Sequence, residues 1–409
     1  MYFRLRDHCK LVEGTARGAI YNLKTGKVHS INGHAVKLLR LCENQDLGSL
    51  VPHDTPHNNS YDFFDKLVTL ELADYYYHEP QQSVPPKASP VKLDFLWLEL
   101  TSACNNKCLH CYATSGPNCE KQQVPHEVWL KVMEEAFQSG ARAIQFIGGE
   151  PLLYPKWREL IVTAHKLGYE YIEIFSNATL ITTEDIDFFK KYQVQIATTI
   201  YADNAAVHDA VTQHAGSFDL TQTAIHRILN ADIPLRIASI IMKTNENEVE
   251  NIMNFCKNLG VEVNPPDVIR PTGRGDDEKL RPDNYKKALI QPPFYTDSFS
   301  FFEAQHYHNC LAGKLAITAT GDVIPCIFSR NQLCGNVLEK SLLTILHEKP
   351  LTDYWQTTKD CITKCKSCEY RYACHDCRPL SQSCDSQRNW LACPAGCYYN
   401  PETGIWEEK

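Results

Sequence analysis

Apolar and polar positions in the middle of the chain, residues 93–270, alternate between two periods. Short apolar runs typical of strands recur between amphipathic stretches typical of helices. The predicted strands are Phe95–Thr101, Ala143–Gly148, Tyr171–Ser176, Val194–Ile200, Leu235–Met242 and Val261–Val263. Six successive β–α units favour an α/β fold in which a parallel sheet, with helices outside it, curls into a partial barrel. Active sites of such sheets lie at the carboxyl ends of the strands.

Two of the predicted helices have clear ends. One spans Glu127–Ser139 and stops at a glycine. The other spans Asn245–Leu259, where Asn245 and Glu248 form a capping-box pattern at its start. Cys256 lies on the apolar face of this second helix, so we expect it in the core.

The flanking segments have different patterns. The first 85 residues predict a small domain of strands at Met1–Val12, Arg17–Asn22 and Val28–Ile31 and helices at His34–Cys42 and Tyr61–Tyr77. The proline-rich run QQSVPPKASP, residues 81–90, predicts an extended linker to a barrel domain over 93–275. Residues 276–300 predict a connector, and residues 301–409 are cysteine-rich, with a short helix expected at Leu342–Glu348.

Composition excludes several classes of function. The net charge of −8 offers no basic field for nucleic acid or an anionic membrane. No run of 18 apolar residues spans a bilayer, and the N-terminus lacks the apolar core of a signal peptide. We therefore expect a cytoplasmic protein.

Eighteen cysteines are many for a chain expected in a reducing compartment, where metal binding is a better explanation than disulfides. Cys104, Cys108 and Cys111 follow the first barrel strand with the spacing C-x3-C-x2-C. Three thiolates this close can hold three corners of an iron–sulfur cubane and leave one iron open to a ligand. The alternative is a structural zinc site with His110 as the fourth ligand.

This motif on the first loop of a six-unit partial barrel resembles the radical S-adenosylmethionine (SAM) superfamily over residues 93–275. The resemblance implies that the open iron of a [4Fe–4S] cluster chelates the amino and carboxylate groups of SAM. One electron from the reduced cluster then breaks a sulfur–carbon bond, and the resulting 5′-deoxyadenosyl radical abstracts a hydrogen from the substrate. Such an enzyme takes its electron from a donor such as flavodoxin or ferredoxin.

Two further motifs end predicted strands: GGEP at Gly148–Pro151 and SNAT at Ser176–Thr179. Glycines let a backbone approach a ligand closely, although both motifs also fit plain turns. The resemblance implies that GGEP binds the methionine amino group and that SNAT contacts the ribose or the carboxylate. The resemblance also implies that the residue just before the third cysteine, here His110, lies near the adenine. The full set of SAM-contacting residues that it implies is His110, Tyr112, Gly148, Gly149, Glu150, Ser176, Asn177 and Thr198. No general base stands out: Tyr201, Asp203 and Asp209 follow the fourth predicted strand, but we expect each of them to be a solvated surface residue.

The C-terminal cysteines resemble the SPASM extension, which carries up to two auxiliary [4Fe–4S] clusters. The series C-x2-C-x5-C-x2-C departs from the family pattern, which has three residues between its last pair. The residues implied to hold one cluster are Cys365, Cys368, Cys374 and Cys397, with Cys393 as the alternative to Cys397. Those implied for the other are Cys310, Cys326 and Cys377, with Cys334, Cys361 or an open iron in the fourth place. A pair of zinc knuckles is the alternative for this tail.

The ending CYYNPETGIW and the N-terminal hairpin and helix resemble SPASM maturases of ribosomally made (RiPP) peptides, many of which begin with a winged-helix-like recognition element. Such an element can bind the leader of a precursor peptide as an added strand, although it also fits a structural cap on the barrel. The function predicted is therefore an oxidoreductase that forms a crosslink, a thioether or an epimer in a precursor peptide. The alternatives are a sulfatase-maturase-like protein oxidase and a non-catalytic zinc-binding interaction module.

Overall fold

The computed structural model describes residues 1–50, 59–80, 90–120, 123–262, 265–286 and 288–407. Its strands are β1 (Tyr2–Leu5), β2 (Cys9–Glu13), β3 (Arg17–Asn22), β4 (Val28–Asn32), β5 (Ala73–Tyr76), β6 (Phe95–Glu99), β7 (Ala143–Ile147), β8 (Tyr171–Phe175), β9 (Gln195–Thr199), β10 (Leu235–Ala238), β11 (Ile240–Ile241), β12 (Asp267–Val268), β13 (Lys314–Ile317), β14 (Asp322–Ile324), β15 (Gly335–Asn336), β16 (Tyr399–Asn400) and β17 (Ile405–Trp406). Its α-helices are α1 (Gly33–Asn44), α2 (Leu47–Leu50), α3 (Asn59–Thr69), α4 (His126–Gln138), α5 (Trp157–Leu167), α6 (Thr183–Lys191), α7 (Ala205–Thr212), α8 (Ser217–Asn230), α9 (Val249–Asn258), α10 (Ser298–Glu303), α11 (Leu342–Leu346), α12 (Lys349–Trp355) and α13 (Arg378–Cys384).

The chain forms two compact units. The first comprises Met1–Pro90, Leu289–Cys310 and Gln356–Lys409, and the second comprises Val91–Ala288 and Leu311–Trp355. The linker expected at 81–90 lies outside the described residues, apart from Pro90. The three sequence domains stay a prediction.

The second unit is built on one sheet with the order β10-β9-β8-β7-β6-β13-β14-β15. Strands β6 to β10 are parallel neighbours, which confirms the α/β arrangement expected from the sequence. The sequence did not predict that β13 would pair in parallel with β6 and extend the sheet on its other side. Because β6 to β9 run in parallel, the loops that follow them meet at one edge.

The sixth strand expected at Val261–Val263 does not form over the described part of this range, residues 261–262. Val261 instead donates its N–H to the Cys256 carbonyl and packs back on α9, as the apolar residue after a helix-ending glycine commonly does. The sixth strand is β12, which pairs with β11 apart from the main sheet. Cys256 lies in the core as predicted, at 5% exposure.

The start of α9 also differs from the prediction. Asn245 does not cap this helix but sits in a preceding 3-10 turn, Lys243–Glu248. Its buried amide accepts a hydrogen bond from the Met242 N–H and donates to the Tyr201 and Ile240 carbonyls. Three backbone groups in reach outweigh a capping role because an unpaired buried amide is costly.

The N-terminal part of the first unit contains a three-stranded antiparallel sheet, β2-β3-β4, and a separate pair, β1-β5. The single run expected at Met1–Val12 is split by a turn in which the Cys9 N–H donates to the Arg6 carbonyl. The helix expected at Tyr61–Tyr77 ends early, because Glu71 has φ +56° and the aromatic run after it pairs with β1. Phe3 and Phe64 pack together in this core, with ring centroids 4.3 Å apart.

No helix in the described ranges is long and apolar enough to cross a membrane.

Candidate functional site

The loop after β6 carries Cys104, Cys108 and Cys111 at the carboxyl edge of the parallel strands. It folds back on itself, since the Cys104 N–H donates to the Gly116 carbonyl at 3.1 Å. Burial, with a smaller effect from the neighbouring Cys111, raises the pKa of the Cys108 thiol to about 12. Three thiolates gathered in such a place are unstable as free anions, so this donor set fits a cationic iron–sulfur core.

Across the described residues, no three His, Cys, Asp or Glu side chains lie close enough together to share one metal ion. His110, the fourth ligand that the zinc alternative needs, has its Nε2 atom 3.2 Å from the Tyr201 hydroxyl.

A second loop, residues 271–277, packs onto the cysteine loop. The Arg274 guanidinium donates to the carbonyl oxygens of Cys108 and Ser115 at 2.9 and 2.8 Å, and the Arg274 N–H donates to the Cys111 carbonyl at 3.0 Å. Gly273 has φ +58°, and a Cβ there would lie 2.4 Å from a carbonyl oxygen of the cysteine loop. Sequence reasoning missed Arg274; the only local signal was its place between two glycines.

The GGEP glycines bring the end of β7 against the cysteine loop. Gly148 has φ +153°, and a Cβ on Gly149 would lie only 2.1 Å from the Ala103 carbonyl oxygen. Two backbone hydrogen bonds seal this approach, from the Gly149 N–H to Thr101 and from the Glu150 N–H to Ala103. Glycine is therefore required here for packing between loops.

Glu150 joins the GGEP and SNAT loops. Its fully buried carboxylate accepts hydrogen bonds from the Ser176 hydroxyl at 2.8 Å and from the Asn177 N–H at 2.9 Å. The Leu152 N–H donates to it as well. Burial raises the pKa of Glu150 to about 7, although these three hydrogen bonds oppose the rise.

The SNAT loop in turn touches the cysteine loop. The Asn177 side-chain amide donates to the Asn105 side-chain oxygen at 2.8 Å and lies 3.8 Å from the Cys104 sulfur. Asn105 donates to the Thr179 hydroxyl at 2.6 Å. The structure thus connects three of the predicted motifs by hydrogen bonds.

His110 lies beside Tyr201, with 3.2 Å between Nε2 and the tyrosine oxygen. Burial, followed by the charge of Arg274, lowers the pKa of His110 to about 4, so the ring is neutral at pH 7. The expectation of a solvated Tyr201 is wrong, because its side chain is buried against the cysteine loop. The buried hydroxyl of Thr198 and the Nδ1 of His110 have no hydrogen-bond partner within the described part of the chain.

The other two candidates for a general base also have defined places. Asp203 is exposed, as expected. Asp209 instead anchors the start of α8, accepting hydrogen bonds from the Gly216 and Phe218 N–H groups and the Ser217 hydroxyl. These bonds to the ionised form outweigh burial and lower the pKa of Asp209.

Tyr112 belongs to a second polar group that the sequence did not reveal. Arg330 stacks over its ring at 5.4 Å and pairs with the buried Glu99 at 2.8 Å. Phe328 meets the same ring edge-on at 5.2 Å. A segment that follows Cys326 is thereby packed against the residue directly after Cys111.

Four of the predicted auxiliary ligands surround one cavity in the first unit. Its lining includes Cys365, Cys368, Cys374 and Cys397, together with Lys359 and Lys364. We refer to it as the four-cysteine cavity. Its thiols are largely enclosed, and burial raises the pKa of Cys365 to about 11. These four cysteines are the set that the SPASM resemblance implies for one of the two auxiliary clusters.

The choice between Cys393 and Cys397 also has a structural basis. Cys393 is absent from the lining of the cavity among the residues described. A hydrogen bond from its thiol lowers the pKa of Cys397. Cys397 thus lines the cavity together with Cys365, Cys368 and Cys374, and its assignment as their fourth ligand stays a prediction.

The residues implied for the other auxiliary cluster are dispersed in sequence. Cys334 is buried, at 3% exposure, whereas Cys310 and Cys361 are exposed. Cys326 and Cys377 are partly buried. Their joint ligation stays a prediction.

Comparison with protein-family models decides the class. The model described as the radical SAM superfamily matches residues 98–256, and the model described as the iron–sulfur cluster-binding domain SPASM matches residues 310–369. The chain therefore carries a radical SAM domain followed by a SPASM domain. Its cofactors are SAM and [4Fe–4S] clusters.

Similar proteins include two maturation proteins of Bacillus subtilis (strain 168). The chain is 26% identical to the antilisterial bacteriocin subtilosin biosynthesis protein AlbA, over 63% of this chain and 60% of AlbA. It is 28% identical to the sporulation killing factor maturation protein SkfB, over 61% of this chain and 63% of SkfB. The matches thus span less than two thirds of these relatives. An AdoMet-dependent heme synthase of Methanosarcina barkeri (strain Fusaro / DSM 804) is 24% identical over 74% of this chain and 95% of that protein.

Solved structures show the same radical SAM fold. Streptococcus suis SuiB bound to precursor peptide SuiA has a TM-score of 0.57 at 14% identity, covering 94% of this chain and 98% of SuiB. The anSMEcpe protein with bound AdoMet and the Cp18Cys peptide has a TM-score of 0.54 at 14% identity, covering 74% and 93%. At this identity the likeness shows the fold alone.

The structure divides the predicted SAM-contacting residues into three groups. Those linked to the cysteine loop by hydrogen bonds or backbone packing are Gly148, Gly149, Glu150, Ser176 and Asn177. His110 and Tyr112 belong to the loop itself, and Thr198 lies on β9 with its hydroxyl unpaired as far as the structure is described. Their contacts with SAM stay predictions.

Proposed function

We propose that this radical SAM enzyme of the SPASM family matures a ribosomally synthesised precursor peptide, forming a crosslink, a thioether or an epimer. Cys104, Cys108 and Cys111 would hold the SAM cluster, and a low-potential donor such as flavodoxin or ferredoxin would reduce it. When bound, SAM and this cluster supply the radical that removes a hydrogen atom from the peptide. Relatives named as maturation proteins support this substrate class.

This chain's own residues would orient and enclose that chemistry. Arg274 and the two GGEP glycines fix the cysteine loop, and the Glu150 carboxylate fixes the SNAT loop beside it. His110 is neutral, so it presents an uncharged ring to any adenine bound there. Tyr201 holds that ring in place through its hydroxyl.

The observation that carries the peptide proposal is a groove of about 670 Å³ in the first unit. Both β1 and β2 line it, and among the described strands each of them has a single neighbour, β5 and β3 respectively. Unpaired strand edges are the surfaces on which extended peptides add as a further strand. We place the leader of the precursor here.

The charges of the groove indicate what kind of leader it takes. Arg4 and Lys10 line it without an ion-pair partner in the described residues, whereas Arg6 and Arg40 already pair with carboxylates. Leu5, Leu11 and Phe302 add apolar surface. An extended segment with acidic and apolar residues matches this lining.

The test is charge reversal in the groove. A double variant, Arg4→Glu with Lys10→Glu, should lose most modification of precursor peptides encoded beside the gene, measured by mass spectrometry. Cleavage of SAM to 5′-deoxyadenosine without peptide should continue, because the SAM site is untouched. The matched control is Lys37→Glu with Lys66→Glu, two exposed lysines outside the groove. Equal modification by both double variants would show that the groove does not bind the leader.

A second candidate, haem synthesis, is favoured by one observation: the match to the heme synthase spans 95% of that protein. Incubation with SAM, reductant and an iron-porphyrin precursor distinguishes the two functions. A change in the mass of the porphyrin, with no mass shift in any neighbouring peptide, would favour this candidate.

A further inference from the structure

A group of charged side chains lies buried beside the four-cysteine cavity. Lys359 lines the cavity with only 5% of its side chain exposed, and its ammonium group pairs with the Asp376 carboxylate. Lys364 also lines the cavity but is partly exposed. A buried ammonium group is costly unless other charges compensate it.

Asp376 is shared between two cations. Arg378, which is fully buried, pairs with the same carboxylate and donates to the Trp390 and Ala392 carbonyls. His308 lies 3.5 Å from the same carboxylate. One carboxylate thus faces two full positive charges. The group carries one excess positive charge inside the protein.

The excess charge lies beside the cysteines, because Lys359, Cys365 and Cys374 line the same cavity. In the part of the chain that is described, the ammonium group has no hydrogen-bond acceptor besides Asp376. Its other two N–H groups are left for acceptors that would occupy the cavity.

We propose that Lys359 is a redox-tuning residue whose buried charge raises the reduction potential of an auxiliary cluster held in the four-cysteine cavity. This inference rests on the proposed cluster assignment. On reduction the cluster core takes one electron and goes from 2+ to 1+, so with four thiolates its charge goes from −2 to −3. The ammonium group keeps its proton and stabilises the more negative form.

The test is an EPR-monitored titration with dithionite on the full chain. Cys104→Ala, Cys108→Ala and Cys111→Ala remove the SAM cluster, and the component lost on adding Cys368→Ala identifies the cavity cluster. Lys359→Met should lower the midpoint of that component. We expect the ratio of reduced to oxidised cluster at a fixed potential to fall at least tenfold, which is about 59 mV for one electron. Lys359→Arg should keep most of the wild-type midpoint.

The matched control is Lys366→Met. Lys366 directly follows Cys365 but is exposed, so water screens its charge. A midpoint unmoved by Lys359→Met at full iron content, or moved equally by Lys366→Met, would overturn the proposal. If Lys359→Met loses iron, Lys359→Gln, which keeps a donor toward Asp376, must show the same fall.

The outcomes also separate this inference from the cluster assignment. If Cys368→Ala removes no EPR component, there is no cluster in the cavity and both proposals fail. If that component is present but insensitive to Lys359, only the tuning role fails.

Discussion

Replacing Arg274 by alanine should loosen the cysteine loop of the SAM site without removing any cluster ligand. The guanidinium donates to the Cys108 and Ser115 carbonyls, on both sides of Cys111. The third contact, from the Arg274 N–H to Cys111, is a backbone bond that alanine retains. The substitution therefore tests the side chain alone.

The expected effect follows from the two lost hydrogen bonds. A hydrogen bond from a charged donor contributes about 1.5–3 kcal/mol. Arg274 is partly exposed, so water replaces part of this interaction. The lower end of the range therefore applies, about 3 kcal/mol for the two hydrogen bonds together. Since about 1.4 kcal/mol is a factor of ten, the open state of the loop should become roughly 100-fold more populated.

Loss of iron to a chelator reports this opening. The EPR component missing from the Cys104, Cys108 and Cys111 triple alanine variant identifies the SAM cluster, and its decay should be up to about 100-fold faster in Arg274→Ala. The decay rate of Arg274→Lys should lie between those of wild type and Arg274→Ala, because an ammonium group does not span two carbonyls as a guanidinium does. Arg281→Ala is the control, since that exposed side chain pairs only with Glu278 among the residues described. Equal decay in Arg274→Ala and wild type would refute this reasoning.

Two further predictions concern single positions. Gly149→Ala should abolish formation of 5′-deoxyadenosine, because the added Cβ would lie 2.1 Å from the Ala103 carbonyl oxygen. Gly116→Ala is the control and should retain this activity, because no atom lies within 4 Å of its added Cβ. Cys397→Ser should remove the iron of one auxiliary cluster while Cys393→Ser should not, because of these two residues only Cys397 lines the cavity in the described part of the chain. Iron analysis of both variants measures this, and the reverse pattern would assign the ligand to Cys393.

Local sequence was enough to predict the sheet and the position of the cysteine loop. Strands β6 to β10 are short apolar runs, and parallel strands necessarily bring their carboxyl ends to one edge. Cys104, GGEP and SNAT each follow such a strand, so their proximity could be foreseen. The last predicted strand could not be located correctly, because Val261 fits both a strand pattern and the apolar position that caps the end of α9.

Contacts between distant segments could not be predicted from the sequence. Arg274 is 166 residues from Cys108, and Arg330 is 231 residues from Glu99. A lone arginine in a loop is typical of solvent exposure, so nothing local marks either one as a partner of the site. The choice of Cys397 over Cys393 likewise depends on packing around a cavity and not on spacing.

Both cysteine sites illustrate why spacing predicts iron but not its potential. The motif supplies negative thiolates, while the compensating cation comes from elsewhere: Arg274 beside Cys108 and Lys359 beside Cys365. The two cations differ in what they contact. Arg274 is tied to backbone carbonyls and is partly exposed, so its main effect is on the shape of the loop. Lys359 is enclosed next to the sulfurs, where a charge is poorly screened, so its main effect is on the reduction potential of the cluster.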